Sequence, residues 1–441
     1  MSCSNNISSD ARQIAARLLL DAERRGTFAN LSLDAQLRRQ KLPPQEAAFV
    51  GALMYGVLER RLTLDACLAA HSRSPLQKLS PLVLCALRLG VYQLLYMEVP
   101  EHAAVSESVE LVRTLGKGRA AGFVNGVLRS FLRSDKVIPL PENPAARLSV
   151  EFSCPVPLVE MLLENYDSSV VRHFLEDSLG RPPAAVRVNT LRTTTEELSA
   201  LLEREGATAC AHPQIPDCLV VETSGGIAKT QAHGQGLMHI QDISSQLCVT
   251  ALGLKPGERL LDCCAAPGGK AFTAAQMVGE TGEVVACDLH EKRAGLISGR
   301  ADELGIANIT TRVADTSRHH PELGSFDAVL CDVPCSGYGV IRRKPEIKYK
   351  PLSQFANIST LQYNILESAA KYLEIGGRLV YSTCTLNPAE NAGVTNAFLG
   401  NHTQFVPRPL GGLLGECSSR TLLGEFGGDG FYMAAFEKVG G

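Results

Sequence analysis

The chain has no uninterrupted apolar run approaching the roughly 18 residues that a membrane-spanning helix requires, and residues 1–10 lack the basic-then-apolar pattern of an export signal. These absences predict a cytoplasmic protein with no membrane partner. Fourteen cysteines are present, yet none forms a CxxC pair and no cysteine–histidine set has zinc spacing. No metal is expected, and buried thiols in a reducing compartment account for most of the cysteines. An excess of one charge sign is lacking as well, with 43 Lys+Arg against 46 Asp+Glu and a net of -3, and there is neither an internal repeat nor a low-complexity tract.

At 441 residues the chain is too long for one ordinary core, so two to three domains are expected. Its 45% hydrophobic and 20% charged residues are those of a globular protein. The small net charge hides an asymmetry: residues 1–135 carry 17 Lys+Arg against 12 Asp+Glu, and the remainder 26 against 34. A mildly basic N-terminal region is compatible with contact to a polyanion, but solvated helix faces give the same values.

From Ala11 to about Arg133 the pattern is helical, with Leu84, Leu87, Val91, Leu94 and Leu95 on one stripe and Val105, Val109 and Val112 beginning another. Pro43-Pro44 and Pro81 fit helix starts, and Pro100 fits an inter-helix turn. The expectation is an all-α bundle of roughly six or seven helices over residues 1–138. Three prolines in Ile138–Pro144 read as a linker. A small α+β domain over 139–235 follows, with helices near 158–165 and 170–179, a strand at Ala185–Val188, a helix capped by Thr194 and a strand at Cys218–Glu222.

From residue 236 to 441, apolar strands at Arg259–Cys263, Glu283–Asp288, Ile309–Val313, Ala328–Asp332 and Gly377–Ser382 alternate with helix-length segments. That alternation predicts an α/β, Rossmann-like domain with a mostly parallel sheet, whose site lies beyond the carboxyl ends of the strands. The loops at Cys264, Asp288, Asp315, Asp332 and Cys384 all emerge there. The first strand runs into Ala265-Ala266-Pro267-Gly268-Gly269-Lys270, where small residues admit a ligand close to the backbone at a helix start. Ala271 stands where a P-loop would carry Ser or Thr, and the loop does not spell GxGxxG. Asp288, 20 residues after Gly268, is placed to accept hydrogen bonds from a ribose diol. A ribose without a phosphate cradle points to a nucleoside cofactor such as S-adenosyl-L-methionine.

The loop Cys264–Lys270, Asp332-Val333-Pro334-Cys335-Ser336 and Thr383-Cys384 resemble the signatures of the Nop2/Sun family of RNA cytosine-C5 methyltransferases. So do Gln241-Asp242-Ile243-Ser244-Ser245-Gln246 and Gly428-Asp429-Gly430-Phe431-Tyr432. The N-terminal bundle, with Gly51–Arg61 and Phe123-Val124-Asn125-Gly126-Val127-Leu128-Arg129, is similar to the antitermination factor NusB. Fusion of the two resembles the RsmB/Sun-type branch, which methylates cytosine C5 in 16S ribosomal RNA. Three departures stand out: Val333 where the family carries alanine, Ala314 before Asp315 where glycine is common, and Gly337-Tyr338 where smaller residues are usual.

The resemblance implies that Cys384 is the nucleophile and that Cys335 assists release of the product. Asp332, which adjoins the cofactor side, would hold the cytosine edge. Cys264, Ala265, Ala266, Pro267, Gly268, Gly269 and Lys270 would line the methionine and ribose portion of the cofactor. Asp288 would bind the ribose, Asp315 would sit near the adenine, and Arg293 is a further candidate or an ordinary helix-surface arginine. Chemistry alone does not choose between the thiols, since DNA cytosine-C5 methyltransferases use a Pro-Cys thiol, which would be Cys335. The run Arg342–Lys350, with five basic residues and Tyr349, reads as a phosphate-holding and base-stacking loop or as a solvated one. The expected partner is a single-stranded or loop cytosine of 16S ribosomal RNA, and a monomer is expected. The same chemistry on transfer RNA and a non-catalytic, antitermination-type RNA-binding factor are the alternatives.

Overall fold

The computed structural model describes residues 9–25, 42–180, 182 and 184–440. The chain divides into two compact units: Met1–Leu179 with Lys344–Lys350, and Gly180–Arg343 with Pro351–Gly441.

The first unit is helical. Its described elements are α1 (Ser9–Arg25), α2 (Pro44–His71), α3 (Pro81–Tyr96), α4 (Glu101–Val112) and α5 (Ala121–Arg133), followed by α6 (Pro144–Glu151), α7 (Val156–Asn165) and α8 (Ser168–Asp177). Pro44 and Pro81 stand in the first turns of their helices, where a missing N–H costs nothing, and Pro100 precedes α4. Leu53, Leu64, Leu87, Val91, Val112 and Leu128 close one core. Gly56 allows α2 to meet α3, because a Cβ there would lie 1.9 Å from the Tyr92 ring. Through α5 these are five helices among the described residues; part of the region expected to hold six or seven lies outside them.

The two compact units divide after Leu179, beyond the prolines of Ile138–Pro144. Thr63 donates to the Val150 carbonyl at 2.6 Å and the Leu62 amide donates to the Ser153 hydroxyl at 2.8 Å, so the chain beyond the prolines is fastened to α2. The basic run is fastened to the same helix. Lys344–Lys350 belongs to this unit: the Tyr349 hydroxyl donates to the Leu58 carbonyl at 2.8 Å, and the Arg61 guanidinium lies 3.7 Å from the Tyr349 ring centroid. Lys348 is 2% exposed and donates to the Glu59 carbonyl at 2.8 Å. Lys348 is an interior group, and Tyr349 is half-buried with its hydroxyl and ring both engaged, so neither is a freely solvated side chain.

Burial pushes the Lys348 ammonium down to about 8. Between that value and the ordinary one near 10.4 the unfolded chain binds a proton that the folded chain does not, so stability rises with pH across this window. Below about 8 both states are protonated and the cost of burying the charge is fully present. Lys348→Met is therefore expected to flatten the rise of the unfolding midpoint between roughly pH 8 and 10, measured by thermal unfolding against wild type.

The second unit contains two sheets. The smaller has the order β2-β3-β1-β4, all antiparallel, from β1 (Ala184–Val188), β2 (Thr208–Ala211), β3 (Cys218–Glu222) and β4 (Met238–Ile240). It packs Val186, Leu219 and Val221 with Leu198 and Leu202 of α9 (Thr195–Arg204). Thr194 and Glu197 close a reciprocal capping box on that helix.

The larger sheet runs β10-β12-β9-β8-β5-β6-β7, with β11 on β12. Here β5 (Arg259–Asp262), β6 (Glu283–Asp288), β7 (Ile309–Val313), β8 (Phe326–Asp332) and β9 (Leu373–Thr383) are parallel. The antiparallel side is β10 (Phe405–Pro407), β11 (Ser419–Leu423) and β12 (Gly430–Lys438). Alternation along the strands feeds two cores. Leu260, Val284, Ala286, Leu330 and Val380 face α10 (Ile243–Thr250), α11 (Gly269–Val278) and α12 (Glu291–Leu304). Leu261, Val285, Cys287, Val329 and Tyr381 face α13 (Ile358–Ala370) and α14 (Ala392–Asn401). Burial on both faces explains why these strands read as unbroken apolar runs. Cys263, Cys287 and Cys331 belong to the second core, as their strand positions predicted. No described helix is long and apolar enough to cross a membrane.

Candidate active site

Because β8 and β9 are parallel neighbours, with Asp332 paired to Ser382, the loops that follow them leave the sheet side by side. They bring the sulfurs of Cys335 and Cys384 to 3.3 Å, both as free thiols. The contact with Cys384, burial, and the negative charges of Glu390 and Asp332 push the Cys335 thiol well above its ordinary value.

Asp332 lies at the end of β8. It accepts from the Ser382 hydroxyl at 2.8 Å on one oxygen and from the Lys270 ammonium at 2.7 Å on the other. Lys270 thus joins the glycine loop to Asp332. Burial opposes its charge, yet Asp332 and, beyond it, Asp262 keep its pKa above the ordinary value. Asp262 was not singled out from the sequence. It closes β5, is fully buried, accepts from the Cys264 amide at 3.3 Å, and has a second oxygen with no partner. Burial and the nearby Asp332 push its carboxyl up to about 7. The available signal was its position: a carboxylate ending the strand that feeds the glycine loop.

The loop itself is shaped by backbone contacts. The Ala265 amide donates to the Cys287 carbonyl at 2.8 Å and the Gly268 amide to the Ala265 carbonyl at 2.7 Å. Gly268 has φ +109°, and a Cβ there would meet the Phe272 ring at 2.3 Å. Gly269 then opens α11, whose first amides have no helical carbonyl to bind. Pro267 follows a cis peptide, and Cys264 and Ala266 are partly buried beside it.

At the end of β6, Asp288 accepts from the His290 amide at 3.0 Å, and Arg293 sits 3.4 Å away. Arg293 also donates to the Ala266 carbonyl at 3.0 Å, so it ties Asp288 to the loop, and is more than a free helix-surface arginine. Asp315 accepts from the Ser317 hydroxyl at 2.6 Å and its amide at 3.1 Å; the hydroxyl contact is the main reason its pKa falls.

Two motifs whose roles the sequence left open meet at Arg343. This residue donates to Asp429 at 2.6 Å and to Asp242 at 3.0 Å, so it is part of a buried ion network in addition to the basic run. Burial and Asp242 raise the Asp429 carboxyl to about 6, against the pull of Arg343. One residue on, Gly430 touches Gly339: a Cβ on Gly339 would lie 1.9 Å from the Gly430 carbonyl oxygen, and the Gly339 amide donates to the Cys384 carbonyl at 3.0 Å. The Cys335 loop is thereby held against the Cys384 backbone. Of the departures, Val333 is absorbed in the core with Ile365, and Tyr338 is buried with its ring edge-on to Phe355.

Comparison with known proteins agrees with this layout. Residues 249–437 match the family model of the 16S rRNA methyltransferase RsmB/F, 9–133 that of the NusB family, and 154–228 that of the RsmF/B-like ferredoxin-like domain, which runs across the division after Leu179. The chain is 34% identical over 443 residues to the probable ribosomal RNA small subunit methyltransferase B of Bacillus subtilis, covering 97% of this chain and 99% of that one. It is 32% identical over 405 residues to ribosomal RNA small subunit methyltransferase B of Vibrio cholerae, covering 91% of each. A methyltransferase homolog of known structure from Pyrococcus horikoshii superposes with a TM-score of 0.58 at 25% identity, covering 68% of this chain and all of its own.

Proposed function

The chain belongs to the RsmB/F family of 16S rRNA methyltransferases, and we propose that it transfers a methyl group from S-adenosyl-L-methionine to carbon 5 of a cytosine in 16S ribosomal RNA through a covalent adduct on Cys384. The observation that carries this reading is the 3.3 Å contact between two free thiols beside Asp332 at the carboxyl edge of the sheet. Carbon 5 of cytosine is too weak a nucleophile to take a methyl group unaided. Thiolate addition at carbon 6 makes it enamine-like, and the same thiolate is a good leaving group afterwards.

The contact with Cys384 and burial push the Cys335 thiol well above its ordinary value, and the family resemblance supports Cys384 as the attacking sulfur. Asp332, paired with the Lys270 ammonium at 2.7 Å, would hold the cytosine edge and favour its protonation at N3. When water takes the C5 proton, the C5–H electron pair reforms the C5–C6 double bond and the C6–S pair leaves on the Cys384 sulfur as a thiolate. The departing Cys384 sulfur then regains its partner at Cys335.

The residues present fit the cofactor. Gly268 and Gly269 add no side chain of their own at the start of α11, and the Asp288 carboxylate keeps lone pairs for ribose hydroxyls. Bound there, S-adenosyl-L-methionine supplies an electrophilic methyl group. Cys264 to Lys270 would line its methionine and ribose portion, Arg293 would steady the loop, and Asp315 would lie toward the adenine.

Transfer of tritium from labelled cofactor to 16S ribosomal RNA, followed by bisulfite sequencing of the product, tests the reading. One protected cytosine is expected. No incorporation, or label on another base or atom, would overturn it.

A further inference from the structure

Glu390 lies beyond Cys384 and belongs to none of the signatures from which the site was assembled. It is 1% exposed, and each carboxylate oxygen serves a different loop. One accepts from the Ser336 amide at 2.8 Å, next to Cys335, and from Gln362 at 3.1 Å; Gln362 also donates to the Pro334 carbonyl at 2.9 Å. The other accepts from the Asn387 amide group at 2.9 Å, three residues beyond Cys384. The backbone is pinned too, since the Tyr381 hydroxyl of β9 donates to the Glu390 carbonyl at 2.6 Å. Asn391 frames Cys384 directly, accepting from the Thr383 hydroxyl at 2.6 Å and donating to the Thr385 carbonyl at 3.0 Å.

We propose that Glu390 is a positioning residue for the thiol pair: its buried carboxylate ties the Cys335 loop to the Cys384 loop and so sets the contact between the two sulfurs. The catalytic consequence rests on reading those sulfurs as nucleophile and release partner; the geometric one does not. Glutamine at this position has the same shape but one acceptor and one donor end. Whichever way it turns, its amide nitrogen faces a donor, either the Ser336 amide or the Asn387 amide group, and one loop is released. The charge facing Cys335 is lost as well, leaving Asp332, with Lys270 behind it, and Cys384 as its charged or titratable neighbours, together with the phenol of Tyr381.

The first test needs neither RNA nor cofactor. Diamide takes two electrons and two protons from a pair of thiols, forming a disulfide while its azo bond becomes a hydrazine. Peptide mapping of the Cys335–Cys384 disulfide should show rapid closure in wild type and closure slower by roughly tenfold in Glu390→Gln. With RNA, Glu390→Gln should lower kcat by roughly tenfold or more, leave KM for the cofactor within about twofold, and accumulate a covalent RNA–protein complex. Should Glu390→Gln fail to fold, Asn387→Ala, which removes one tie only, is expected to slow closure in the same way. Wild-type closure rates in the folded variants would overturn the proposal, as would loss of turnover with no change in closure. Absence of methyl transfer by wild type would overturn the functional reading alone, because the diamide comparison still decides the role of Glu390.

Discussion

Cys384→Ala is expected to abolish methyl transfer, lowering kcat by at least roughly 10⁴-fold, the scale seen when a covalent nucleophile is removed. The same variant should form no covalent complex with RNA carrying 5-fluorocytosine, whose fluorine cannot leave as a proton does. Cys335→Ala should behave differently. It keeps Cys384, the attacking sulfur of the proposed mechanism, and loses the 3.3 Å partner, so it should still form the complex and accumulate it on ordinary RNA. Single-turnover methyl transfer and denaturing gels of the two variants check both halves of this expectation. A Cys335→Ala enzyme that forms no complex beside a Cys384→Ala enzyme that does would reverse the assignment.

The second large effect is expected at Asp332. Asp332→Asn removes the partner of the Lys270 ammonium, whose side chain is 13% exposed, and with it the group that would hold the cytosine edge in the proposed mechanism. An unpaired buried charge of this kind destabilises by about 3–5 kcal/mol, and loss of a proton-handling contact to the base lowers kcat by roughly 10²–10⁴-fold. The two losses are separable. Adding Lys270→Met removes the stranded charge, so the double variant should recover most of the unfolding midpoint without recovering turnover. Thermal unfolding and methyl transfer on wild type, Asp332→Asn, Lys270→Met and the double variant check this; recovery of turnover in the double variant would show that Asp332 matters only as the partner of Lys270.

The catalytic unit was legible in the sequence because its signals are local. Strands buried on both faces, such as Glu283–Asp288, appear as short apolar runs, and β5, β6 and β8 each end in an aspartate at the carboxyl edge of the sheet. Thr194 with Glu197, and Pro81 at a helix start, are likewise decided within one turn of chain. What escaped depends on partners far away in sequence. Lys348 and Tyr349 look solvated among basic neighbours, and only the carbonyls of Glu59 and Leu58 and the guanidinium of Arg61 tie them into the first unit. The prolines of Ile138–Pro144 do stop a helix, but they mark no boundary between units, because Thr63 and Leu62 fasten the next segment to α2. Glu390 gave no signal at all: a glutamate in a loop acquires its meaning from Ser336, Gln362 and Asn387, which only folding brings to it.

Mapping the covalent attachment site tests the account most directly. Wild-type protein trapped on 16S ribosomal RNA carrying 5-fluorocytosine, digested and read by tandem mass spectrometry, should carry the modified nucleotide on Cys384. Attachment at Cys335, or full methyl transfer with no attachment to either sulfur, would contradict it.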